Sequence, residues 1–270
     1  MNPLLLVIIV AGVVCAFVWV TSLITRDHSW VDRLWSIVPV VYVWIFAASA
    51  GLADARLNVM AVLVTLWGAR LTFNFARKGG YTGTEDYRWP ILRGRMNRWQ
   101  FEIFNLLFIV LYQNLILVLI TLPALTAYDH RSTPFGVLDV LVALLFLGLL
   151  VGETVADQQQ WNFHTAKKAG GADFRPRYLR TGLWKYSRHP NFFFEQAQWW
   201  ALFLFGAVAA GSLLQWTVLG AVLLTVLFIG STRFTEEITR SKYPEYADYQ
   251  ATTWPIVPWP PRRRESKATA

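Results

Sequence analysis

Seven apolar runs, each long enough to cross a lipid bilayer, dominate this sequence. They cover about residues 3–24, 35–51, 58–75, 102–122, 135–152, 192–210 and 213–230. A helix needs about 20 mostly apolar residues to cross the hydrocarbon core, and there it satisfies its own backbone polar groups. The first run lacks the basic region and the cleavage site of a signal peptide, so we expect it to remain as a helix. The sequence therefore predicts an all-α, polytopic membrane protein, with seven transmembrane helices forming a single domain over residues 1–270.

Lysine and arginine are unevenly distributed among the segments that connect these runs. Of the 25 lysine and arginine residues, 22 lie in four segments: 25–34, 76–101, 153–191 and 231–270. The alternate connections hold only Arg56 and Arg131. Because basic connections stay in the cytoplasm, we expect the N-terminus outside and the C-terminus inside. The basic tail, residues 261–270, is then expected to bind anionic lipid.

Several classes of protein are excluded by what the sequence lacks. It has no soluble nucleic-acid-binding module, and its single cysteine, Cys15, permits no internal disulfide and no zinc cluster. We therefore expect neither a nucleic acid nor a metal as a partner. The chain has no P-loop, no G-x-G-x-x-G and no H-E-x-x-H motif, so membrane helices and their loops would have to bind any nucleotide. We expect a location in a bacterial inner membrane.

A polar segment follows the fifth apolar run and is predicted to continue its helix over 153–168. Glu153, Asp157, Gln160 and His164 recur every three to four residues, so they share one face. Seven cations follow within 22 residues: Lys167, Lys168, Arg175, Arg177, Arg180, Lys185 and Arg188. Such a cluster suits a polyphosphate ligand. The alternative is a solvated helix end whose charge reflects membrane topology alone.

Polar side chains also lie at membrane depth. Asn191 and Glu195 are one turn apart at the start of the sixth helix, where the helix dipole favours a phosphate. Asp32 and Arg33 precede the second apolar run, and Arg70 lies in the third. Gln113 and Asn114 lie deeper, in the middle of the fourth. Charged groups inside a membrane are usually functional, although helix capping and snorkelling explain many of them.

One stretch resembles a known family. Gly182-Leu183-Trp184, Tyr186-Ser187-Arg188-His189-Pro190-Asn191-Phe192 and then Glu195 are similar to the C-terminal signature of the steroid 5-alpha-reductase family. The upstream helix with QQQWNFH, the element TEDYRW at 84–89 and the tail KYPEYADYQ resemble the same family, over about residues 58–260. The resemblance implies a seven-helix membrane reductase that binds NADPH from the cytoplasm.

The resemblance also implies a set of functional residues. Asn191 and Glu195 would hold the nicotinamide–ribose side of the cofactor, Asp157 the adenosine side, and Arg177 with Lys168 the phosphates. The full implied set of cofactor-binding residues is Asp86, Arg88, Glu153, Asp157, Gln160, His164, Lys168, Arg177, Tyr186, Arg188, His189, Asn191, Glu195 and Glu237. The implied catalytic residues, which would polarise a substrate ketone, are Asp32, Arg33 and Arg70.

The expected reaction is NADPH-dependent reduction of the carbon–carbon double bond of a 3-oxo-Δ4 steroid or a similar lipid enone. A hydride would go to the β-carbon and a proton to the α-carbon. A membrane methyltransferase that uses S-adenosylmethionine is the alternative, because isoprenylcysteine and phospholipid methyltransferases carry a similar stretch followed by a Glu-Glu pair, here Glu236-Glu237. A non-enzymatic scaffold or channel is a third possibility.

Overall fold

A computed structural model describes residues 1–83 and 85–262. Thr84 of the TEDYRW element and residues 263–270 of the basic tail lie outside the described residues. The described chain consists of helices and loops, with a single isolated bridge between Ser187 and Trp254. The helices are α1 Pro3–Thr25, α2 Trp30–Trp35, α3 Val38–Ser49, α4 Ala55–Arg77, α5 Arg88–Arg95, α6 Arg98–Phe104, α7 Gln113–Leu119, α8 Pro123–Asp129, α9 Val137–Ala169, α10 Pro190–Ala210, α11 Val218–Lys242 and α12 Tyr246–Thr252. A π-helical segment, Asn105–Tyr112, joins α6 to α7.

Six helical stretches in the described residues are long and apolar enough to cross a membrane. They are Pro3–Thr25, Trp30–Ser49, Ala55–Arg77, Arg98–Asp129, Val137–Ala169 and Val218–Lys242. The prediction of an all-α membrane protein is confirmed. The sixth predicted span, residues 192–210, does form a helix, α10, of 21 residues. It is not among the six, because Glu195, Gln196 and Gln198 make its first half polar.

Helix lengths differ from the predicted apolar runs where polar residues continue a helix. α9 has 33 residues and extends to Ala169, which confirms the predicted helical continuation over 153–168. α11 extends 12 residues beyond its apolar run, to Lys242. The second span begins five residues before its apolar run, at Trp30.

The chain divides into two compact units. The first comprises Met1–Phe146 and Trp199–Leu223, and the second comprises Leu147–Gln198 and Leu224–Ala270. The first unit is centred on α3 and α4, where Tyr42, Phe46 and Trp67 are fully buried. A β-carbon on Gly68 of α4 would lie 2.5 Å from the carbonyl oxygen of Ser36, so this position requires a residue without a side chain.

A buried ion pair closes one end of the first unit. Arg56, in the first turn of α4, donates from Nε and Nη2 to the two carboxylate oxygens of Asp139, at 2.6 and 2.9 Å. Its guanidinium also donates to the carbonyl oxygens of Thr133 and Pro134. Both side chains are 1% exposed. These bonds use four of the five guanidinium N–H groups and fix the loop that precedes α9.

The second unit is held together by packing between α9 and α10 and by its C-terminal segment. A β-carbon on Gly152 of α9 would overlap the ring of Phe194, so these helices approach closely at that point. The C-terminal segment lies along residues 186–188. The Arg188 amide donates to Trp254 O at 2.8 Å, and the Trp259 amide donates to Tyr186 O at 3.0 Å.

Candidate functional site

Glu236 of α11 is the centre of a buried polar cluster in the second unit. Its two carboxylate oxygens accept from Arg188, from Nε at 2.6 Å and from Nη2 at 2.9 Å. His189 Nε2 lies 3.1 Å from Oε1, and Gln250 Nε2 donates to Oε2 at 2.8 Å. Arg188, His189 and Glu236 are each 7–8% exposed. We call these four residues the Glu236 cluster.

The guanidinium of Arg188 is surrounded by acceptors from the protein itself. Besides Glu236, it donates from Nη1 to the carbonyl oxygens of Gln250 and Thr253. Ser187 Oγ donates to Ile256 O at 2.6 Å and accepts from the His189 amide. In this structure the cluster therefore fixes residues 187–189 against α11 and the C-terminal segment.

Helical spacing on α11 explains why Glu236, and not its neighbour, lies inside. Phe228, Thr232 and Glu236 recur every four residues and so share one face. Glu236 is buried, whereas Glu237 is exposed. The resemblance implied Glu237, and not Glu236, as a cofactor-binding residue. Glu236 could have been identified from its helical spacing, which places it on the same face as Phe228.

The predicted polar face of α9 is buried at one end and exposed at the other. Glu153 is 3% exposed and Asp157 is 4% exposed, whereas His164 and Lys168 lie at the surface. Glu153 accepts from Gln198 Nε2 of α10 at 2.5 Å. Glu195, also on α10, is 5% exposed. The second unit therefore buries three carboxylates along α9 and α10.

Asn191, at the start of α10, presents an unused acceptor. Its Oδ1 atom is buried and has no hydrogen-bond partner among the described residues. A buried amide oxygen without a donor is unfavourable, and a ligand with an N–H or O–H group would satisfy it.

A cavity of about 850 Å³ lies in the second unit, and Thr253, whose carbonyl oxygen accepts from Arg188, is among its lining residues. Four of the seven predicted cations line it: Arg175, Arg177, Arg180 and Lys185. The ring of Tyr178 also lines the cavity and stacks on Tyr249, at 5.5 Å between centroids. Two carboxylates, Glu245 and Asp248, also line it. We call this the cationic cavity.

The other three cations have different environments. Arg188 belongs to the Glu236 cluster, and Lys168 is exposed on α9. Lys167 Nζ donates to the carbonyl oxygen of Arg177 at 2.5 Å and to the hydroxyl of Tyr243 at 3.1 Å. Lys167 therefore positions the loop that carries the cavity arginines. Burial raises the pKa of the Tyr246 and Tyr249 phenols, so both remain neutral donors at physiological pH.

The remaining predicted residues belong to the first unit. Asp32 Oδ2 accepts from Trp89 Nε1 at 3.0 Å. Arg33 donates to Gly80 O at 3.0 Å and pairs with Asp27 at 2.6 Å. Asp86 and Arg88 pair with each other at 2.8 Å, and the Asp86 amide donates to Ser29 Oγ. Together these contacts join the loop before α2 to the segment around α5.

Arg70 is half-buried in α4, also in the first unit. The implied catalytic residues, together with Asp86 and Arg88, thus lie in the first unit, and the other twelve implied cofactor residues lie in the second. Within the described residues, no group of three or more His, Cys, Asp or Glu side chains has an arrangement that would hold a metal ion.

Comparison with known proteins corrects the family assignment. Residues 18–253 match the model of a family described as "Protein of unknown function (DUF1295)". An uncharacterized protein of Schizosaccharomyces pombe is 39% identical over 269 residues, which cover 92% of this chain and 78% of the relative. No solved structure matches the chain. Assignment to the steroid 5-alpha-reductase family was wrong, because the matching family model is a different one and the relative has no described activity. The chain belongs to the DUF1295 family.

Proposed function

We propose that this protein is a membrane reductase that binds NADPH in its second unit and reduces the carbon–carbon double bond of a lipid enone. The cationic cavity is the observation that carries the proposal. Four cationic side chains converge there, beside a stacked pair of tyrosine rings. Its volume of about 850 Å³ is in the range of cofactor sites.

The chemistry of the residues in the second unit fits this cofactor. Arginine side chains bind phosphate through paired N–H donors, so Arg175, Arg177 and Arg180 would hold the phosphate groups. Asn191 Oδ1 lacks a donor, which the carboxamide N–H of a nicotinamide would supply. The Glu236 cluster acts indirectly in this proposal, because it fixes the segment that connects the cavity to Asn191.

The proposed reaction balances as enone plus NADPH plus a proton, giving the saturated ketone and NADP⁺. Bound NADPH supplies the hydride that the β-carbon accepts, and the α-carbon receives the proton. The protein orients the cofactor through the cavity cations and Asn191. A 3-oxo-Δ4 steroid is one member of the proposed substrate class.

The proposal includes a topology with seven spans, in which α10 crosses the membrane together with the six more apolar stretches. The N-terminus would lie outside and the C-terminus in the cytoplasm, as the distribution of lysine and arginine favours. The cationic cavity is built from basic segments predicted to be cytoplasmic, and would then open where NADPH is available.

Ligand titration of the purified full-length protein tests the cofactor. We expect NADPH at 100 times its dissociation constant to stabilise the protein by about 2.7 kcal/mol in thermal unfolding. Arg177→Ala with Arg180→Ala should weaken NADPH binding at least about tenfold, since each removes a charge-assisted contact. Arg131→Ala, which removes an exposed cation from the first unit, is the control and should leave binding unchanged. Absence of any response to NADPH would refute the proposal.

A membrane methyltransferase is the second candidate, and one contact favours it. The Glu236-Glu237 pair, which prompted this alternative, does meet the Arg188-His189 element, through Glu236. S-Adenosylmethionine carries no phosphate, so this reading leaves the four cavity cations without a role. Stabilisation by S-adenosylmethionine and not by NADPH would refute the reductase proposal and favour the methyltransferase. Turnover by the proposed reductase is tested with progesterone and NADPH, by searching for a product that is two hydrogens heavier than progesterone.

A further inference from the structure

A second cavity in the second unit lies along the polar end of α11. Its volume is about 580 Å³, which is in the range of small-molecule sites. None of the four cations that line the cationic cavity lines this one. Its lining residues are Arg233, Glu236, Glu237, Arg240, Ser241 and Gln250. We call it the α11 cavity.

Two arginines supply the positive charge of the α11 cavity. Arg233 and Arg240 are exposed, and they lie two helical turns apart on α11, so they share one face. Neither guanidinium forms a hydrogen bond or an ion pair with another residue that the structure describes. Because a guanidinium donates two parallel N–H groups, such an arginine suits a phosphate. The two side chains line the same cavity and are therefore available to one ligand.

The carboxylates at the α11 cavity do not cancel this charge. Glu236 accepts from Arg188 and from Gln250, so its charge is compensated within the Glu236 cluster. Glu237 is the remaining carboxylate, and one carboxylate against two guanidinium groups leaves a net positive charge. The cavity therefore suits a ligand with a single negative charge.

The position of Arg233 on α11 indicates the source of such a ligand. α11 is one of the six stretches that are long and apolar enough to cross a membrane. Residues 218–232 carry no charge, so Arg233 is the first charged residue of the helix. The headgroups of a bilayer lie directly outside its hydrocarbon core, where arginine side chains meet lipid phosphates.

An exposed apolar surface of α11 leads to the two arginines. Val226 is 55% exposed and Ile229 is 40% exposed. Together with Arg233 they recur every three to four residues, so they lie on one face of the helix. A lipid chain can pack against this apolar surface while its phosphate reaches Arg233. A soluble phosphate compound would leave the surface unused, so the continuity of the two surfaces favours a lipid.

We infer that the α11 cavity binds one anionic phospholipid through its phosphate diester. Arg233 and Arg240 donate to the phosphate oxygens, and an acyl chain packs on Val226 and Ile229. The diester carries one negative charge, which complements the net charge of the cavity. A headgroup that also carries a quaternary ammonium has no net charge, so it binds more weakly. This site involves no nucleotide and stands independently of the reductase proposal.

Native mass spectrometry of the full-length, delipidated protein in detergent tests the site. Phosphatidylglycerol is titrated against phosphatidylcholine with the same acyl chains. We expect the first phosphatidylglycerol molecule to bind about tenfold more tightly than the first phosphatidylcholine molecule. Glycerophosphoglycerol, which has the same headgroup and no acyl chains, should not displace it. This comparison uses the unaltered protein, so it does not depend on whether a variant folds.

A matched pair of double variants assigns the contact. Arg233→Gln with Arg240→Gln should weaken binding of the first phosphatidylglycerol about tenfold, to the level of phosphatidylcholine. Arg98→Gln with Arg131→Gln is the control, because it removes two exposed cations from the first unit and should leave this affinity unchanged.

Four results would overturn the inference. Equal affinity for the two lipids would show that the site does not select an anionic headgroup. Displacement by glycerophosphoglycerol would identify a site for a soluble phosphate compound. An equal loss in both double variants would reflect the overall charge of the protein. Unchanged affinity in Arg233→Gln with Arg240→Gln would show that the first lipid binds elsewhere.

Discussion

Replacing Glu236 with glutamine should destabilise the second unit, and not merely weaken ligand binding. The substitution keeps the size of the side chain and removes its charge. Arg188 would then be a buried cation with no carboxylate, although its bonds to Gln250 O and Thr253 O would remain. Removing one partner of a buried pair costs about 3–5 kcal/mol. For a chain of this size, 1 kcal/mol shifts the melting temperature by roughly 2–4 °C, so we expect a decrease of roughly 6–20 °C.

The measurement is thermal unfolding in detergent, followed by intrinsic tryptophan fluorescence. Glu237→Gln is the matched control, because it removes the neighbouring, exposed carboxylate and should change stability by no more than about 0.5 kcal/mol. The double variant Arg188→Met with Glu236→Leu removes both charges and should recover much of the loss. A melting temperature unchanged by Glu236→Gln, together with weaker NADPH binding, would contradict the assignment of Arg188 and Glu236 to the protein framework. They would then be ligand-binding residues.

Three further predictions concern stability. Arg56→Met should destabilise the first unit by about 3–5 kcal/mol by leaving Asp139 buried without its cation, and equal melting temperatures for variant and unaltered protein would refute this. Tyr246 and Tyr249 have raised pKa values in the folded state. Their contribution to the free energy of unfolding is therefore complete below pH 10, the ordinary phenol pKa, and declines above it. Above pH 10 the stability that each tyrosine contributes should decrease by up to about 1.4 kcal/mol per pH unit. Tyr249→Phe should therefore reduce the decline in melting temperature at alkaline pH. Gly68→Val should cost roughly 1–3 kcal/mol because its side chain would overlap the backbone at Ser36, measurable by the same assay against Gly12→Val, where the added atom meets open space.

The length of the apolar runs predicted most of the helices, because a membrane span needs little more than length and low polarity. It failed where a helix continues as a polar element. The last 12 residues of α11 contain Arg233, Glu236 and Arg240, so they were read as a connection. The helix persists there because Thr232, Glu236 and Ile238 are buried within the chain. Hydropathy measures transfer to lipid and carries no information about burial against protein.

The candidate site was predictable as a region but not in its internal pairing. The concentration of cations over 167–188 indicated an anion site, and four of those side chains do line one cavity. The sequence did not indicate which cations line the cavity and which form internal contacts. Arg188 and Lys167 bind partners that are 48 and 76 residues away, Glu236 and Tyr243. Contacts at such separations depend on tertiary packing, and local spacing does not specify them.

The π-helical segment shows the same limit at a shorter range. With α-helical periodicity, Asn105 and Asn114 point in opposite directions, and each is then explained separately, as a cap or a lone polar residue. In the structure both side chains are buried, and the π-helical segment Asn105–Tyr112 separates Asn114 from the regular helix that precedes it. A π segment is uncommon and locally less favourable, so packing against α1 must stabilise it. The sequence was interpreted with α-helical periodicity, so it could not predict this change of winding.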